Sequence, residues 1–200
     1  MFSIMPEEGR FAPLYDILFG RLLAGVQQKI AQIVMKNGCN RIADMGCGTG
    51  MQLALLKDKV DAIGIDKSPF MLKAAKKKGV ECIMGDISST PFPSSYFDCL
   101  IYSFVLHPNN RAKIKEILEE GKRILKENGC FIIADYGIAK KKRAAIVIRL
   151  IERMATKEHY RNYTDYMKRG AINGIIEEAR MSIDERQSFY NNGVEVICLH

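Results

Sequence analysis

The chain has 200 residues, of which 48% are hydrophobic and 26% charged, which suits one domain with a full apolar core and argues against disorder. The formal net charge is +7, and no apolar run approaches the length needed to cross a bilayer. The N-terminal MFSIMPEEGR carries acidic residues where a signal peptide would carry basic ones, which predicts a cytoplasmic protein.

Strand and helix patterns alternate through the first two thirds of the chain. Apolar residues recur at helical spacing over 14–36, and Asn37-Gly38 ends that helix. Strands are predicted at 41–45, 60–66, 80–84, 97–103 and 130–136, with helices between them over about 51–58, 69–78 and 109–127. This alternation, with nearly continuous apolar strands, predicts a parallel sheet covered by helices on both faces.

The pattern changes after residue 137. Helices are predicted at 141–155 and 163–180, followed by strands 182–190 and 193–200 that are joined by a hairpin turn at Asn191-Asn192-Gly193. The sequence therefore predicts a single α/β domain with a doubly wound, mostly parallel seven-stranded sheet and a terminal antiparallel hairpin. Its predicted parts are an N-terminal helical cap (1–38), a cofactor-binding core (39–136) and substrate-side helices with the hairpin (137–200).

Residues 41–50, RIADMGCGTG, carry the strongest functional signal. A short apolar strand runs into glycines at 46, 48 and 50, and Asp44 stands just before them. Glycine lets the backbone turn tightly and approach a ligand, and a loop of this kind between a strand and a helix is typical of nucleotide-like cofactor sites. Dinucleotide folds require the third glycine at 51, where this chain has Met51.

The pattern D-M-G-C-G-T-G resembles the first motif of class I S-adenosylmethionine-dependent methyltransferases. The resemblance covers roughly residues 40–136 and includes Asp66 after strand two, Asp86 in MGDIS, and the segments TPFPSSYFDCLIYSFVLHP and LKENGCFIIADY. It implies a Rossmann-like fold, S-adenosylmethionine as cofactor and methyl transfer by direct displacement. It also implies that Asp66 accepts from both ribose hydroxyls and that Asp86 accepts from the adenine amino group.

The expected cofactor contacts follow from this resemblance. They are Tyr15, Asp44, Gly46, Cys47, Gly48, Gly50, Asp66, Lys67, Met71, Gly85, Asp86, Ile87 and Ser103. Plainer alternatives stay open at several positions. The glycines could serve only a tight turn, Asp86 could be an ordinary turn residue, and Met71 could belong to the core.

A histidine and an aromatic segment are the candidates for the acceptor side. His107 follows strand four, where open α/β sheets place substrates, and is expected to act as a general base or merely to start the next helix. His159, Tyr160, Tyr163 and Tyr166 either line a substrate pocket or pack a helix onto the sheet. The six cysteines form no CxxC pair, so buried free thiols and no metal site are predicted.

The acceptor class is inferred from what surrounds strand four and from the charge distribution. The N-P-P-Y loop and the Pro-Cys nucleophile of nucleic-acid enzymes are absent, and YDILFG with Tyr15 resembles the small-molecule, lipid and quinone branch of the family. Residues 136–170 carry ten Lys and Arg against three acidic residues. Within them, KKKRAAIVIRLIERMA could rest on an anionic membrane surface or pack its apolar stripe on the sheet.

Other functions remain compatible with these patterns. An NAD-dependent oxidoreductase, an RNA methyltransferase and a non-catalytic cofactor-binding module stay open, although nucleic acid is the less favoured partner. The sequence predicts neither the oligomeric state nor the accepting atom.

Overall fold

The computed structural model describes residues 12–200, and at residues 12–22 and 144 it describes the backbone alone. The helices are α1 (Ala12–Lys36), α2 (Met51–Leu56), α3 (Pro69–Lys77), α4 (Arg111–Ile124), α5 (Lys142–Glu152), α6 (Lys157–Lys168) and α7 (Ala171–Ala179). The strands are β1 (Arg41–Met45), β2 (Asp61–Asp66), β3 (Glu81–Met84), β4 (Phe97–Ser103), β5 (Leu125–Tyr136), β6 (Ile183–Phe189) and β7 (Val194–Leu199).

The strands form one seven-stranded sheet in the order β3-β2-β1-β4-β5-β7-β6. The first five strands are mutually parallel, and β7 runs antiparallel to both of its neighbours. The predicted fold class and the antiparallel ending are therefore confirmed. The strand order reverses between β1 and β4, and the carboxyl ends of these two strands form the crevice where open α/β sheets bind ligands.

The sheet centre is buried from both sides, as the continuous apolar strands predicted. Ile42, Leu100, Ile101 and Ile132 are all fully buried on the three central strands. Two of the helices that cover the sheet begin at side-chain caps: Ser68 Oγ accepts from the Met71 N–H, and Asn110 Oδ1 from the Lys113 N–H. The sheet is a rigid support for loops at its carboxyl edge.

Two predicted helices have wrong boundaries. The helix expected over 109–127 ends at Ile124, because Leu125 already pairs with Phe97 and starts β5 ahead of a register shift. The helix expected over 163–180 is two helices, α6 and α7, which are separated at Gly170 with φ +95°. The start of α6 was missed because Thr156 caps a helix that begins at Lys157, six residues before the start that the apolar spacing indicated.

The terminal hairpin and the thiols agree with the sequence. Gly193 N–H donates to the Tyr190 carbonyl at 3.1 Å, and Tyr190, Asn191 and Asn192 all have positive φ, a conformation that asparagine adopts readily in hairpin turns. All six cysteines lie in the described part of the chain, where they are buried and free.

Candidate active site

The glycine loop leaves β1 with three left-handed residues. Gly46, Gly48 and Gly50 have φ of +84°, +52° and +74°. A Cβ on Gly46 would lie 2.6 Å from Val105 Cγ2, and one on Gly50 would lie 2.8 Å from Val80 Cγ2. A Cβ on Gly48 would meet no described atom within 4 Å. The outer two glycines therefore allow close packing, and the middle one borders open space.

That open space is a cleft at the carboxyl ends of β1 and β4. Its lining consists of Leu23, Gln27, Asp44, Gly46, Cys47, Gly48, Thr49, Met51, Gln52, Met71, Ser103 and Phe104. Six of the predicted cofactor residues belong to it: Asp44, Gly46, Cys47, Gly48, Met71 and Ser103. Sequence reasoning missed Leu23, Gln27 and Phe104, since no motif marks residues that other elements bring to the loop.

Asp44 places a nearly inaccessible carboxyl group at the base of this cleft. The residue is 2% exposed. Burial, with a smaller contribution from the negative charge of Asp66, raises the pKa of Asp44 to about 7. A positive charge in the cleft would stabilise the ionised form, so the site favours a cationic ligand.

Asp66 ties the end of β2 to the glycine loop. Its Oδ2 accepts from the Gly48 N–H and its Oδ1 from the Ser68 N–H, both at 2.8 Å. Each carboxylate oxygen has a second acceptor position, so a ligand in the cleft can bond to the same group. Asp66 is not in the cleft lining itself, but it fixes Gly48, which is.

The remaining predicted cofactor residues are not part of the cleft lining. Asp86 is exposed and accepts from Ser88 and from Lys113 Nζ at 2.9 Å, and these bonds lower its pKa to about 2. Its contact with adenine therefore stays a prediction. The cofactor contacts of Gly50, Lys67, Gly85 and Ile87, which are also outside the cleft lining, stay predictions as well. Tyr15 lies in α1, and its side chain is outside the described part.

His107 is held by a buried carboxylate at the end of β5. Its Nδ1 is 2.7 Å from Asp135 Oδ1, and Asp135 Oδ2 accepts from the N–H groups of Leu106 and His107 at 3.1 and 3.2 Å. Burial acts to lower the pKa of His107, but the attraction of Asp135 and Glu152 outweighs it and the pKa is raised. The ring is therefore fixed in place and favours a positive charge.

Glu152 and His159 complete the surroundings of His107, and we call His107, Glu152 and His159 the histidine cluster. Glu152 Oε1 accepts from the Tyr136 hydroxyl at 2.7 Å, and its Oε2 lies 2.6 Å from His159 Nε2. The rings of His107 and Tyr136 have centroids 4.7 Å apart. Sequence reasoning missed Asp135, Tyr136 and Glu152. Asp135 and Tyr136 belong to the ADY at the end of strand five, which gave a signal, whereas nothing marked Glu152.

The predicted aromatic segment largely converges on the same place. The rings of Tyr163 and Tyr166 lie 6.3 Å from that of His107. Tyr160 lies farther out, where its hydroxyl accepts from Arg149 Nε at 2.9 Å. Phe104 lines the cleft and also contacts the Tyr136 ring at 5.7 Å. The cleft and the histidine cluster are therefore neighbours that share one wall.

The outer face of α5 is an apolar surface with basic flanks. Ile146, Val147 and Leu150 are 56%, 56% and 57% exposed, so these three side chains do not pack on the sheet, whereas Ile148 on the same helix packs against the core. The basic residues beside the exposed three are Lys140, Lys141, Lys142, Arg143, Arg149 and Arg153. We call these three apolar side chains and their basic neighbours the α5 surface. Within residues 12–200 no helix has the length and apolar character of a membrane span.

Comparison with known proteins adds independent information. Residues 43–133 match the family described as methyltransferase domain. An uncharacterized protein of Methanocaldococcus jannaschii is 30% identical over 186 residues, which cover 91% of this chain and 68% of the relative. The demethylmenaquinone methyltransferase of Thermotoga maritima is 30% identical over 135 residues, which cover 63% of this chain and 58% of the relative.

Two further similarities extend over nearly the whole chain. The phosphatidylethanolamine N-methyltransferase of Cereibacter sphaeroides is 24% identical over 189 residues, 90% of this chain and 89% of the relative. The crystal structure of a putative S-adenosylmethionine-dependent methyltransferase from Methanococcus maripaludis superposes with a TM-score of 0.64 at 18% identity, covering 96% of this chain and 92% of that one. The last similarity supports the fold alone.

Proposed function

Because the chain belongs to the class I S-adenosylmethionine-dependent methyltransferases, we propose that it methylates a lipid-like acceptor at an anionic membrane surface. The observation that carries the proposal is the exposed apolar and basic α5 surface, on a helix whose buried Glu152 belongs to the histidine cluster.

The residues of the cleft fit the cofactor. Gly48 borders open space in the cleft that a side chain at this position would occupy. Asp44 offers a buried carboxyl group to a cationic ligand. S-adenosylmethionine, when bound, supplies a methyl group on a positively charged sulfur. In our proposal Asp44 and Asp66 hold its charged and hydroxyl-bearing parts, and Met71 packs beside it. The task left to the protein is alignment of the acceptor and exclusion of water.

The acceptor is proposed to lie between the cleft and the histidine cluster. Phe104 borders both, and the rings of Tyr136 and Tyr163 continue the same wall. Glu152 at the end of α5 belongs to the histidine cluster and is 1% exposed, whereas Val147 and Leu150 on the same helix point to solvent. One helix thus has a buried side at the histidine cluster and an outer side suited to lipid.

The expected membrane affinity has an apolar and an electrostatic contribution. Burial of a large aliphatic side chain contributes about 1.5–3 kcal/mol when it is fully exposed beforehand, so three half-exposed ones contribute roughly 3 kcal/mol together. Each Lys or Arg near an anionic surface contributes about 1 kcal/mol at physiological salt. Binding is therefore reversible and decreases as salt is added.

The named acceptors of two relatives support the lipid-like class. Phosphatidylethanolamine and demethylmenaquinone, which give the C. sphaeroides and T. maritima relatives their names, are both membrane lipids. Neither relative identifies the acceptor of this chain, since the T. maritima protein is matched over 58% of its length and the C. sphaeroides protein at 24% identity.

The double substitution Val147→Glu with Leu150→Glu is expected to reduce binding to phosphatidylglycerol vesicles at least about tenfold, because it removes apolar area and adds two repelled charges. Co-sedimentation at low salt measures the effect. The matched control is Met35→Glu with Met84→Glu, which alters two equally exposed apolar side chains on α1 and β3 and should leave binding unchanged. Equal binding by both double variants, or background binding by the wild type, would contradict the membrane surface.

The acceptor class itself is tested by product. The protein is incubated with S-adenosylmethionine labelled in the methyl group, a total lipid extract and, in a separate reaction, total RNA. We expect the label in the organic phase of the lipid reaction. Label confined to RNA would instead support the RNA methyltransferase, which the basic segment also allows.

A further inference from the structure

We propose that the histidine cluster is a binding site for a divalent transition-metal ion of the zinc type, with His107 Nε2, Glu152 Oε2 and His159 Nε2 as ligands. The three atoms lie within 4.8 Å of one another, although the residues come from the loop after β4, the end of α5 and the first turn of α6. Two histidines with one carboxylate is a ligand set that zinc uses in catalytic sites, and it leaves a fourth position open.

His107 is the strongest evidence. Its side chain is 3% exposed, and its Nε2 has no hydrogen-bond partner among the described residues. A buried unpaired polar atom costs about 1–3 kcal/mol unless something bonds to it. That atom faces Glu152 Oε2 at 3.6 Å, a separation at which no hydrogen bond forms. A cation between the two groups would satisfy both.

The surroundings of His107 are those of a metal ligand. Asp135 lies 2.7 Å from its Nδ1, so Nε2 is the nitrogen at which a metal ion would compete with a proton. A carboxylate on the far nitrogen is the usual partner of a metal-bound histidine, where it orients the ring and makes it more basic. Asp135 is in turn held by two backbone N–H groups, so the arrangement is rigid.

Glu152 is prepared in the same way. Its Oε1 accepts from the Tyr136 hydroxyl at 2.7 Å, which fixes the carboxylate plane and leaves Oε2 for the other two groups. Glu152 is almost fully buried, and a buried carboxylate requires compensation by a cation or by hydrogen bonds. His159 Nε2, at 2.6 Å, is the present partner of Oε2.

The distances suit a tetrahedral ion after a small adjustment. Ligand bonds of about 2.0–2.2 Å place neighbouring tetrahedral donors about 3.3 Å apart. The distance between His107 and Glu152, 3.6 Å, is already close to that value. The distance between His159 and Glu152, 2.6 Å, must widen by less than about 1 Å. The side chain of His159 is 15% exposed, so the cluster reaches the protein surface at this ligand.

The open fourth position has a consequence that depends on the proposed function. An oxygen, nitrogen or sulfur atom of the acceptor bound there would donate a lone pair to the metal and release its proton to water more readily. It would then be held as a nucleophile beside the cleft. The metal-binding proposal itself requires only the three ligands.

The test is a titration of the chelator-treated full chain with Zn²⁺, followed by calorimetry, and with Co²⁺, followed by absorption. We expect one equivalent of each ion and cobalt bands of a four- or five-coordinate site without a thiolate charge-transfer band. His159→Gln should weaken Zn²⁺ binding more than about 100-fold, and Glu152→Gln should do the same. The chain has three histidines, so His200→Gln is a matched control that should bind as the wild type does.

Each other outcome would overturn the proposal. Absence of Zn²⁺ binding would show that the cluster is a metal-free hydrogen-bond network. A thiolate band, or affinity lost in His200→Gln but kept in His159→Gln, would place the ion elsewhere. Because His159 is partly exposed, we expect its variant to fold, and circular dichroism checks that it does. Vesicle binding and label transfer are separate measurements, so the failure of the metal site and of the lipid acceptor can be told apart.

Discussion

Asp44→Asn is expected to stabilise the free protein by about 1–3 kcal/mol at pH 8 while weakening S-adenosylmethionine binding more than about tenfold. The carboxyl group lies in a nearly inaccessible position beside the charge of Asp66, and its pKa is raised from 3.8 to about 7. At pH 8 it is ionised, with no compensating cation among the described residues to lower its pKa, and asparagine has nearly the same shape without the charge.

The direction of the pH dependence follows from the same shift. As pH rises above about 4, the unfolded chain gives up this proton first, whereas the folded protein keeps it until about pH 7. The contribution of Asp44 to stability is therefore fully present below about pH 4 and is lost as pH rises to about 7. A shift of this size corresponds to at most about 4 kcal/mol. The charge is kept, in our account, for the cationic ligand of the cleft.

Urea unfolding at pH 5 and pH 8 measures the effect. The stability difference between Asp44→Asn and the wild type should be larger at pH 8 than at pH 5. The control is Asp61→Asn. Asp61 is an exposed carboxylate at the start of β2, and its substitution should change the free energy of unfolding by no more than about 0.5 kcal/mol. A variant that is equally destabilised at both pH values would show that Asp44 is held by bonds to its neighbours rather than opposed by burial.

Asp66→Ala is expected to reduce the affinity for S-adenosylhomocysteine at least about 100-fold with the fold retained. The substitution removes the acceptor of the Gly48 and Ser68 N–H groups, so the loop loses its tie to β2. It also removes the proposed bonds to the ribose hydroxyls. Hydrogen bonds to a charged group are worth about 1.5–3 kcal/mol each, and two of them give the expected factor.

Calorimetric titration decides this prediction, with circular dichroism as the check on folding. Asp61→Ala removes a carboxylate from the same strand and should bind as the wild type does. Asp66→Asn keeps one acceptor oxygen and should be intermediate between the two. Unchanged affinity in a folded Asp66→Ala variant would remove Asp66 from the cofactor site.

The parts of the site that come from one continuous segment could be predicted from the sequence. The glycine loop needs positive φ at three alternate residues, and glycine reports that need directly. The ends of buried strands can also be predicted, because such a strand is a continuous apolar run and Asp66 stands where one run stops.

The sequence marked His107 and His159 as separate candidates, but the histidine cluster as a unit could not be predicted, because its members meet only after folding. Glu152 lies on a helix whose other face is exposed, and no short spacing links it to His107 or to Asp135 near the end of β5. The same reason explains the missed break at Gly170: the residues of α6 and α7 are separately amphipathic, and tertiary packing decides where one ends. Charge and apolar patterning did give the composition of the α5 surface, but not which side of the helix faces solvent.

Hydrogen exchange with and without S-adenosylhomocysteine tests the central assignment most directly, since it locates the ligand without assuming any residue's role. We predict slowed exchange in peptides covering residues 44–52 and 66–71, which contain the glycine loop and the start of α3. Unchanged exchange in these peptides at saturating ligand, or protection confined to residues 72–84 in the rest of α3 and in β3, would contradict it.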